Sequence, residues 1–340
     1  MSFQDIRGHD QPIAILKSYL KDSLLEGGHL FIGPEGIGKK LVAKTLSKAL
    51  NCQEATLDSC DRCASCLKID KGQHPDVYMI DSSTVIVKNF EQNYSDATDS
   101  DAIKINHIRQ LQKNIILKPY ESKKKVFIID NAHNLTPEAS NAFLKILEEP
   151  PGDSLIILIS SKPTLLFKTI ISRCKIIRFY LLARTQLKEI LKKDYGLDNT
   201  MAHFLAYFSE GRIGSALRLK DTDILREKNR IIDEFTNFKN HSLESLPIQK
   251  RGDVRSYLNI LATWFRDICL IKTGMPHSEL INLDRRDELL SSMNRYAWLD
   301  LEESMNSIAD SLLSLEQNIN VKLLLYNLRE DISYRARRAV

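Results

Sequence analysis

The sequence lacks any apolar run near the roughly 20 residues that a membrane-spanning helix needs. Its polar opening, Met1 to Gly8, has no hydrophobic core of the kind a secretion signal carries. A cytoplasmic protein with no membrane contact is expected. A strong excess of one charge is missing too. The 48 basic and 44 acidic residues leave +4, which permits contact with nucleic acid without demanding it. Cysteine is sparse, six in 340 residues, and in the cytoplasm thiols stay reduced. Cysteines that cluster therefore point to metal rather than to disulfides. What remains, 43% apolar and 27% charged, is an ordinary globular composition on a chain long enough for two or three domains.

What is present begins with Gly33-Pro34-Glu35-Gly36-Ile37-Gly38-Lys39-Lys40, set between the apolar run His29 to Ile32 and a helical pattern from Leu41 to Leu50. This is the pattern of a phosphate-binding loop. Gly33, Gly36 and Gly38 let backbone N–H groups close around phosphates, Lys39 adds a charge, and the following helix points its positive end inward. The next position normally carries a Ser or Thr hydroxyl for Mg²⁺; here it is Lys40. Further on, the apolar run Val126 to Ile129 ends in Asp130. At the carboxyl end of a buried parallel strand, Asp130 would face the loop phosphates as a partner for Mg²⁺. A hydrolytic site wants a carboxylate beside it to position water, and an amide, Asn131, stands there instead. The nucleotide-binding candidates are thus Gly33, Gly36, Gly38, Lys39, Lys40 and Asp130. Their ligand would be ATP or ADP, bound without turnover.

Cys52, Cys60, Cys63 and Cys66 follow the loop helix in a C-x7-C-x2-C-x2-C pattern. Thiolates this closely spaced suit tetrahedral Zn²⁺, and four of them close its shell, so the zinc would be structural rather than catalytic. Residues 52–72 contain no aromatic side chain. That removes the stacking platforms a nucleic-acid-binding zinc module would use. Cys174 stands apart and reads as a small core residue.

Elsewhere the first 180 residues alternate helix and strand patterns. A helical stripe covers Asp10 to Leu24 and is broken by Gly27-Gly28. Val77 to Ile80 reads as a strand, and the polar, acidic Asp81 to Asp101 as a surface insertion. Ile108, Leu111 and Ile115 mark a helix stopped by Pro119; Thr136-Pro137 opens another that runs through Leu147. Strands are expected at Leu155 to Ile159 and Ile176 to Phe179, with a short helix leading to Ser172-Arg173-Cys174 between them. Such alternation implies a parallel sheet covered on both faces. Beyond Tyr180 the apolar spacing is helical only. It is interrupted at Gly196 and Gly211, then resumes at Leu258, Leu261, Phe265 and Ile268 and again from Leu312 to Leu328. The basic tail, Arg335, Arg337 and Arg338, reads as a solvated end. The expected organisation is an α/β module over 1–180 with an inserted zinc knuckle at 52–66, a small helical bundle over 181–242 and an all-α domain over 243–340.

In this order the motifs resemble those of the delta-prime subunits of bacterial DNA polymerase III clamp loaders, within the AAA+ superfamily. The resemblance spans nearly the whole chain. It rests on the loop and the four cysteines, His74-Pro75-Asp76, Ile105 to Arg109, Asn141 to Pro151, Ser160 to Pro163, Ser172-Arg173-Cys174, and, later, Trp264 to Asp267 and Ile281 to Asp284. It implies an AAA+ module, a lid and a collar that joins subunits into a five-membered ring around primer-template DNA. Gamma/tau and delta subunits and the sliding clamp would be its partners in DNA replication. The resembled subunit is a stator whose arginine, here Arg173, enters the ATP site of a neighbouring motor subunit. The resemblance therefore implies a subunit of the polymerase III holoenzyme with no ATPase or polymerase activity of its own. The competing reading is an active gamma/tau-type ATPase. Lys39 and Asp130 suit it, but Lys40, Asn131 and Gly214, at the place of the family's lid arginine, do not.

Overall fold

The computed structural model describes residues 1–54, 57–81, 102–236, 251–315, 317 and 319–338, with 251–253 and 338 in backbone only. The acidic insertion near 90–101 and the expected boundary at 242 lie outside the described residues. The chain forms two units, Met1–Leu182 with Arg212–Gly214, and Ala183–Gly211 with Ser215–Val340.

Among the described residues of the first unit, five short segments become strands β1 (Gly27–Ile32), β2 (Val77–Ile80), β3 (Lys125–Ile129), β4 (Ser154–Ser160) and β5 (Cys174–Arg178). They pair in parallel in the order β2-β3-β4-β1-β5. Among the described residues six α-helices accompany them: α1 (Asp10–Lys21), α2 (Lys39–Asn51), α3 (Ala64–Asp70), α4 (Ile105–Ile115), α5 (Pro137–Glu148) and α6 (Lys168–Ile171). β1, β3 and β4 are buried along their whole length, which is why their residues are apolar in succession rather than in alternation. Alternate side chains feed two cores. Phe31, Val126, Ile128, Leu155 and Ile157 pack with Leu16 of α1 and with Val42 and Leu46 of α2. On the opposite face Leu30, Phe127, Ile129, Ile156 and Leu158 pack with Ile108 and Leu111 of α4 and Phe143 of α5. Each such side chain contributes about 2 to 3 kcal/mol on burial.

Local chemistry sets several ends. Thr136 caps α5 by accepting from the Ala139 N–H at 3.2 Å, as its sequence suggests. The helix α1 stops at Lys21 rather than Leu24, because Ser23 turns left-handed (φ 54°). Gly27-Gly28 do not break the chain before β1; they begin it. A Cβ at Gly28 would stand 2.7 Å from Leu147 Cδ2 and 3.0 Å from Cys174 Sγ, so the glycine serves close packing inside the sheet. The last strand opens at Cys174, two residues before the expected Ile176. The helix α4 ends four residues before Pro119, where its apolar stripe gives way to exposed Ile116 and Leu117.

The second unit is helical among the described residues: α7 (Arg184–Tyr195), α8 (Asn199–Phe208), α9 (Ile213–Leu219, begun in the first unit), α10 (Ile224–Thr236), α11 (Arg251–Lys272), α12 (Arg286–Met293), α13 (Trp298–Ser314) and α14 (Val321–Arg338). Gly196 (φ 66°) closes α7 in the left-handed conformation that favours glycine. Leu258, Leu261, Trp264, Phe265 and Ile268 of α11 are buried. The Asp267 carboxylate, also buried, accepts from the backbone N–H groups of Ile281 (3.1 Å) and Asn282 (2.7 Å), from Asn282 Nδ2 (2.9 Å) and from Arg266 (2.8 Å). Asp284 pairs at 2.6 Å with the buried Lys228 of α10. The two motifs Trp264 to Asp267 and Ile281 to Asp284 are therefore one polar lock. Two expectations change. The stripe from Leu312 to Leu328 is divided between α13 and α14, and its Leu313 and Leu323 are exposed. Arg335 is not a solvated tail residue: its side chain is 15% exposed and pairs with Glu303 at 3.2 Å.

Replacing Asp267 by Ala strands the buried N–H groups of Ile281 and Asn282, each worth about 1 to 3 kcal/mol. A loss of about 3 kcal/mol is expected in denaturant titration; a change within experimental error would contradict the lock. His29 in β1 is fully buried. Burial first and the nearby Lys175 second lower its pKa to about 4. A histidine held below its ordinary value of 6.5 is neutral in the fold, whereas the unfolded chain takes up a proton below pH 6.5. Its contribution is present in full above pH 6.5 and declines towards pH 4, by about 3 kcal/mol in all. Thermal midpoints should fall across that window, and less steeply in His29→Leu.

Candidate nucleotide loop, cysteine cluster and interface arginine

β1 delivers the chain to the loop at the carboxyl edge of the sheet. A Cβ at Gly33 (φ 154°) would lie 2.4 Å from the Phe179 carbonyl oxygen, and Gly38 (φ 106°) caps α2 in the left-handed region. Only glycine serves at these two turns. Lys39 is 6% exposed and lies across the loop, its Nζ donating to the carbonyls of Gly33 and Pro34, both at 2.6 Å. Burial lowers its pKa to about 8, against the opposing pull of Asp130 and Glu35. His9, which sequence reasoning passed over, contacts the Ile37 carbonyl through Nε2 at 2.5 Å and meets the Phe179 ring edge-on at 5.1 Å. No motif in the sequence marks it.

Lys40 points to the sheet edge. Its Nζ is 3.1 Å from Asp130 Oδ2 and 3.8 Å from Asp81 Oδ2. By its composition Asp81 belongs to the acidic insertion, yet it directly follows β2. Because Ile80 is in register with Ile129, residues 81 and 130 emerge side by side. Two apolar runs each ending in Asp were the available signal. Asn131 is left-handed (φ 50°), a conformation Asn tolerates better than Glu, and its N–H donates to Asp130 Oδ1 at 3.0 Å. Both Asp130 oxygens are thus engaged. A Cβ at Gly214 would stand 2.6 Å from the Gly36 carbonyl oxygen, so no side chain fits at 214 beside this loop. The usual Mg²⁺ ligand set does not fit here, since an ammonium occupies the place of the hydroxyl and engages both nearby carboxylates.

The sulfur atoms of Cys52, Cys60, Cys63 and Cys66 all lie within 4.8 Å of one another. Four sulfurs each about 2.3 Å from one zinc would stand about 3.8 Å apart, so the cluster has the dimensions of a metal centre. The backbone N–H groups of Cys63 and Cys66 donate to Sγ of Cys60 (3.3 Å) and Cys63 (3.5 Å), orienting ligands as outer partners of metal sites do. Buried Lys48 of α2 moors the cluster through Asp61 (2.5 Å) and Asp70 (3.1 Å).

Arg173 immediately precedes the edge strand β5. The pairing of Gly28 with Cys174 and of Ile32 with Arg178 sets Arg173 level with Gly27, at the opposite end of β1 from Gly33. That separation is about 20 Å at the rise of a strand. The guanidinium pairs with Glu148 Oε1 at 2.8 Å and donates to the Thr169 carbonyl at 3.1 Å. It does not serve its own loop.

The chain is similar to the DNA polymerase III subunit delta' of Bacillus subtilis (strain 168), 27% identical over 332 residues that cover 92% of this chain and 93% of that one. It is also similar to the gamma/tau subunit of Mycoplasma pneumoniae, 33% identical over 64% of this chain and 30% of the relative. The gamma subunit of Buchnera aphidicola from Acyrthosiphon pisum is 30% identical over 64% of this chain and 57% of that one. The chain thus spans from about a third to just over half the length of these two relatives. Among the described residues no helix is long and apolar enough to cross a membrane. A family model described as DNA polymerase III, delta subunit, matches residues 8–183, the stretch that holds the parallel sheet, the phosphate loop, the cysteine cluster and Arg173, and with more than half of its length so matched the chain belongs to that family.

Proposed function

We propose that this protein is a delta-prime-type stator of a DNA polymerase III clamp loader, acting in the cytoplasm with gamma/tau and delta subunits to place a sliding clamp on primer-template DNA. The observation that carries the reading is the Lys40–Asp130 ion pair in a chain similar to a delta' subunit along 92% of its length. A hydrolytic loop needs that carboxylate for its metal and a free approach for water. Here the carboxylate is engaged by an ammonium, the next residue is Asn131, and Gly214 leaves no room for an arginine. The gamma/tau relatives favour an active motor as the second reading; the same three positions weigh against it. The helices to about 242 would be the lid and those beyond it the collar of the assembled ring.

Two sites carry the structural part of this role. Cys52, Cys60, Cys63 and Cys66 would hold one Zn²⁺, which stiffens the knuckle and takes no part in chemistry. Arg173, too far along β1 to meet its own loop, would swing from Glu148 to the γ-phosphate of a neighbouring subunit's ATP. A planar guanidinium suits that role because it spreads charge over several phosphate oxygens.

Metal analysis of unchelated protein should return close to one Zn²⁺ per chain. Ser at any of the four cysteines should lower that content and loosen the knuckle, since a structural zinc contributes on the order of 10 kcal/mol to its local fold. In a reconstituted loader, Arg173→Ala should leave assembly intact by gel filtration and reduce clamp- and DNA-stimulated ATPase by about 10³-fold, the lower range for arginine fingers. Wild-type ATPase in an assembled Arg173→Ala complex would remove the finger, and steady turnover by the isolated chain that disappears in Lys39→Ala would remove the stator reading.

A further inference from the structure

The carboxyl edge of the sheet supports a more specific statement, which rests on reading the loop as a nucleotide site. In a phosphate loop of the usual kind, the residue after the lysine offers a hydroxyl to Mg²⁺, and a strand-end carboxylate supports the ion's water shell. Here the Lys40 ammonium stands 3.1 Å from Asp130 and 3.8 Å from Asp81. The remaining Asp130 oxygen accepts from the Asn131 N–H. Mg²⁺ binds oxygen donors in near-octahedral order, and Lys has donors but no acceptor to offer. An ion arriving with a nucleotide would meet a fixed positive charge and a carboxylate whose oxygens are already engaged.

We propose that Lys40 is the resident cation of this site. The loop takes nucleoside di- or triphosphate free of Mg²⁺, with Lys39 and Lys40 neutralising the phosphate oxygens that a metal would otherwise bridge. Asp81 and Asp130 hold an ammonium at the sheet edge instead of a hydrated ion. Magnesium then weakens binding, because it draws free nucleotide into a complex that the site does not accept. The bound nucleotide is a static ligand that fills the loop between β1 and α2, with no bond made or broken.

The test is fluorescence titration of the full-length chain with N-methylanthraniloyl-labelled ADP and ATP, in EDTA and in excess Mg²⁺. Wild-type protein should bind at least as tightly in EDTA as in Mg²⁺. Lys40→Thr, which restores a hydroxyl, should instead tighten about ten-fold when Mg²⁺ is added, equivalent to about 1.4 kcal/mol. Electron paramagnetic resonance with Mn²⁺ provides a second readout: wild-type protein with ADP should leave the spectrum that of Mn²⁺–ADP in solution, whereas the variant should broaden it. Wild-type binding that tightens about ten-fold with Mg²⁺, a protein-bound Mn²⁺ signal in wild type, or no nucleotide binding in either buffer would each overturn the proposal. The wild-type comparison decides even where the variant does not fold. Gel filtration of the same wild-type protein with gamma/tau and delta subunits separates the two ideas. Assembly together with Mg²⁺-dependent binding sinks only the resident-cation proposal, and failure to assemble sinks the clamp-loader reading while leaving the cation result in place.

Discussion

Burial of β1, β3 and β4 on both faces is the constraint on which the rest of the first unit depends. A strand covered on both sides leaves no solvent-facing position along its length, and even His29 within β1 is fully buried, so groups that must meet a ligand are displaced to the strand ends. In a parallel sheet all carboxyl ends lie along one edge. The loop after β1, Asp81 after β2 and Asp130 after β3 meet there because pairing in register brings them level. Arg173 lies at the other edge for the same reason, being at the amino end of β5.

That arrangement separates two candidate sites within one unit. The carboxyl edge holds a phosphate loop whose cations are both lysines, one folded over the loop carbonyls and the other held by carboxylates. The usual Mg²⁺ ligand set does not fit there, because the ammonium of Lys40 engages Asp130 and Asp81. The amino end of the edge strand carries Arg173 about 20 Å away, where its guanidinium pairs with Glu148. In the stator role proposed above, a partner's active site would use this residue while the chain's own loop would not turn nucleotide over. The cysteine cluster lies beyond α2 and is moored to it by Lys48, so a metal there would brace the helix that presents the loop.

Much of this was legible in the sequence because it depends on local rules. Unbroken apolar runs identified the buried strands, the glycine spacing identified the loop, Thr136-Pro137 marked the start of α5, and the C-x2-C spacing brought the sulfurs together. Local rules also account for the errors. Gly27 and Gly28 look like a break, yet they begin β1: Gly27 is left-handed (φ 69°), and at Gly28 the neighbouring Leu147 and Cys174 leave no room for a side chain. The stripe from Leu312 to Leu328 looks continuous although the chain leaves the helix after Ser314 and enters another at Val321.

The sequence by itself determined the fold class, the grouping of the four cysteines and the residues that stand at 40 and 131 in place of a hydroxyl and a carboxylate, because each of these follows from residues a few positions apart. Only the tertiary structure decided what those groups do to one another. It set Lys40 against Asp81 and Asp130, placed Gly214 where a side chain would strike the Gly36 carbonyl, paired Arg173 with Glu148 and locked Asp267 to Ile281 and Asn282. The physical reason is that strand register and helix packing set these distances, and both depend on contacts between segments far apart in the chain, which no local pattern encodes.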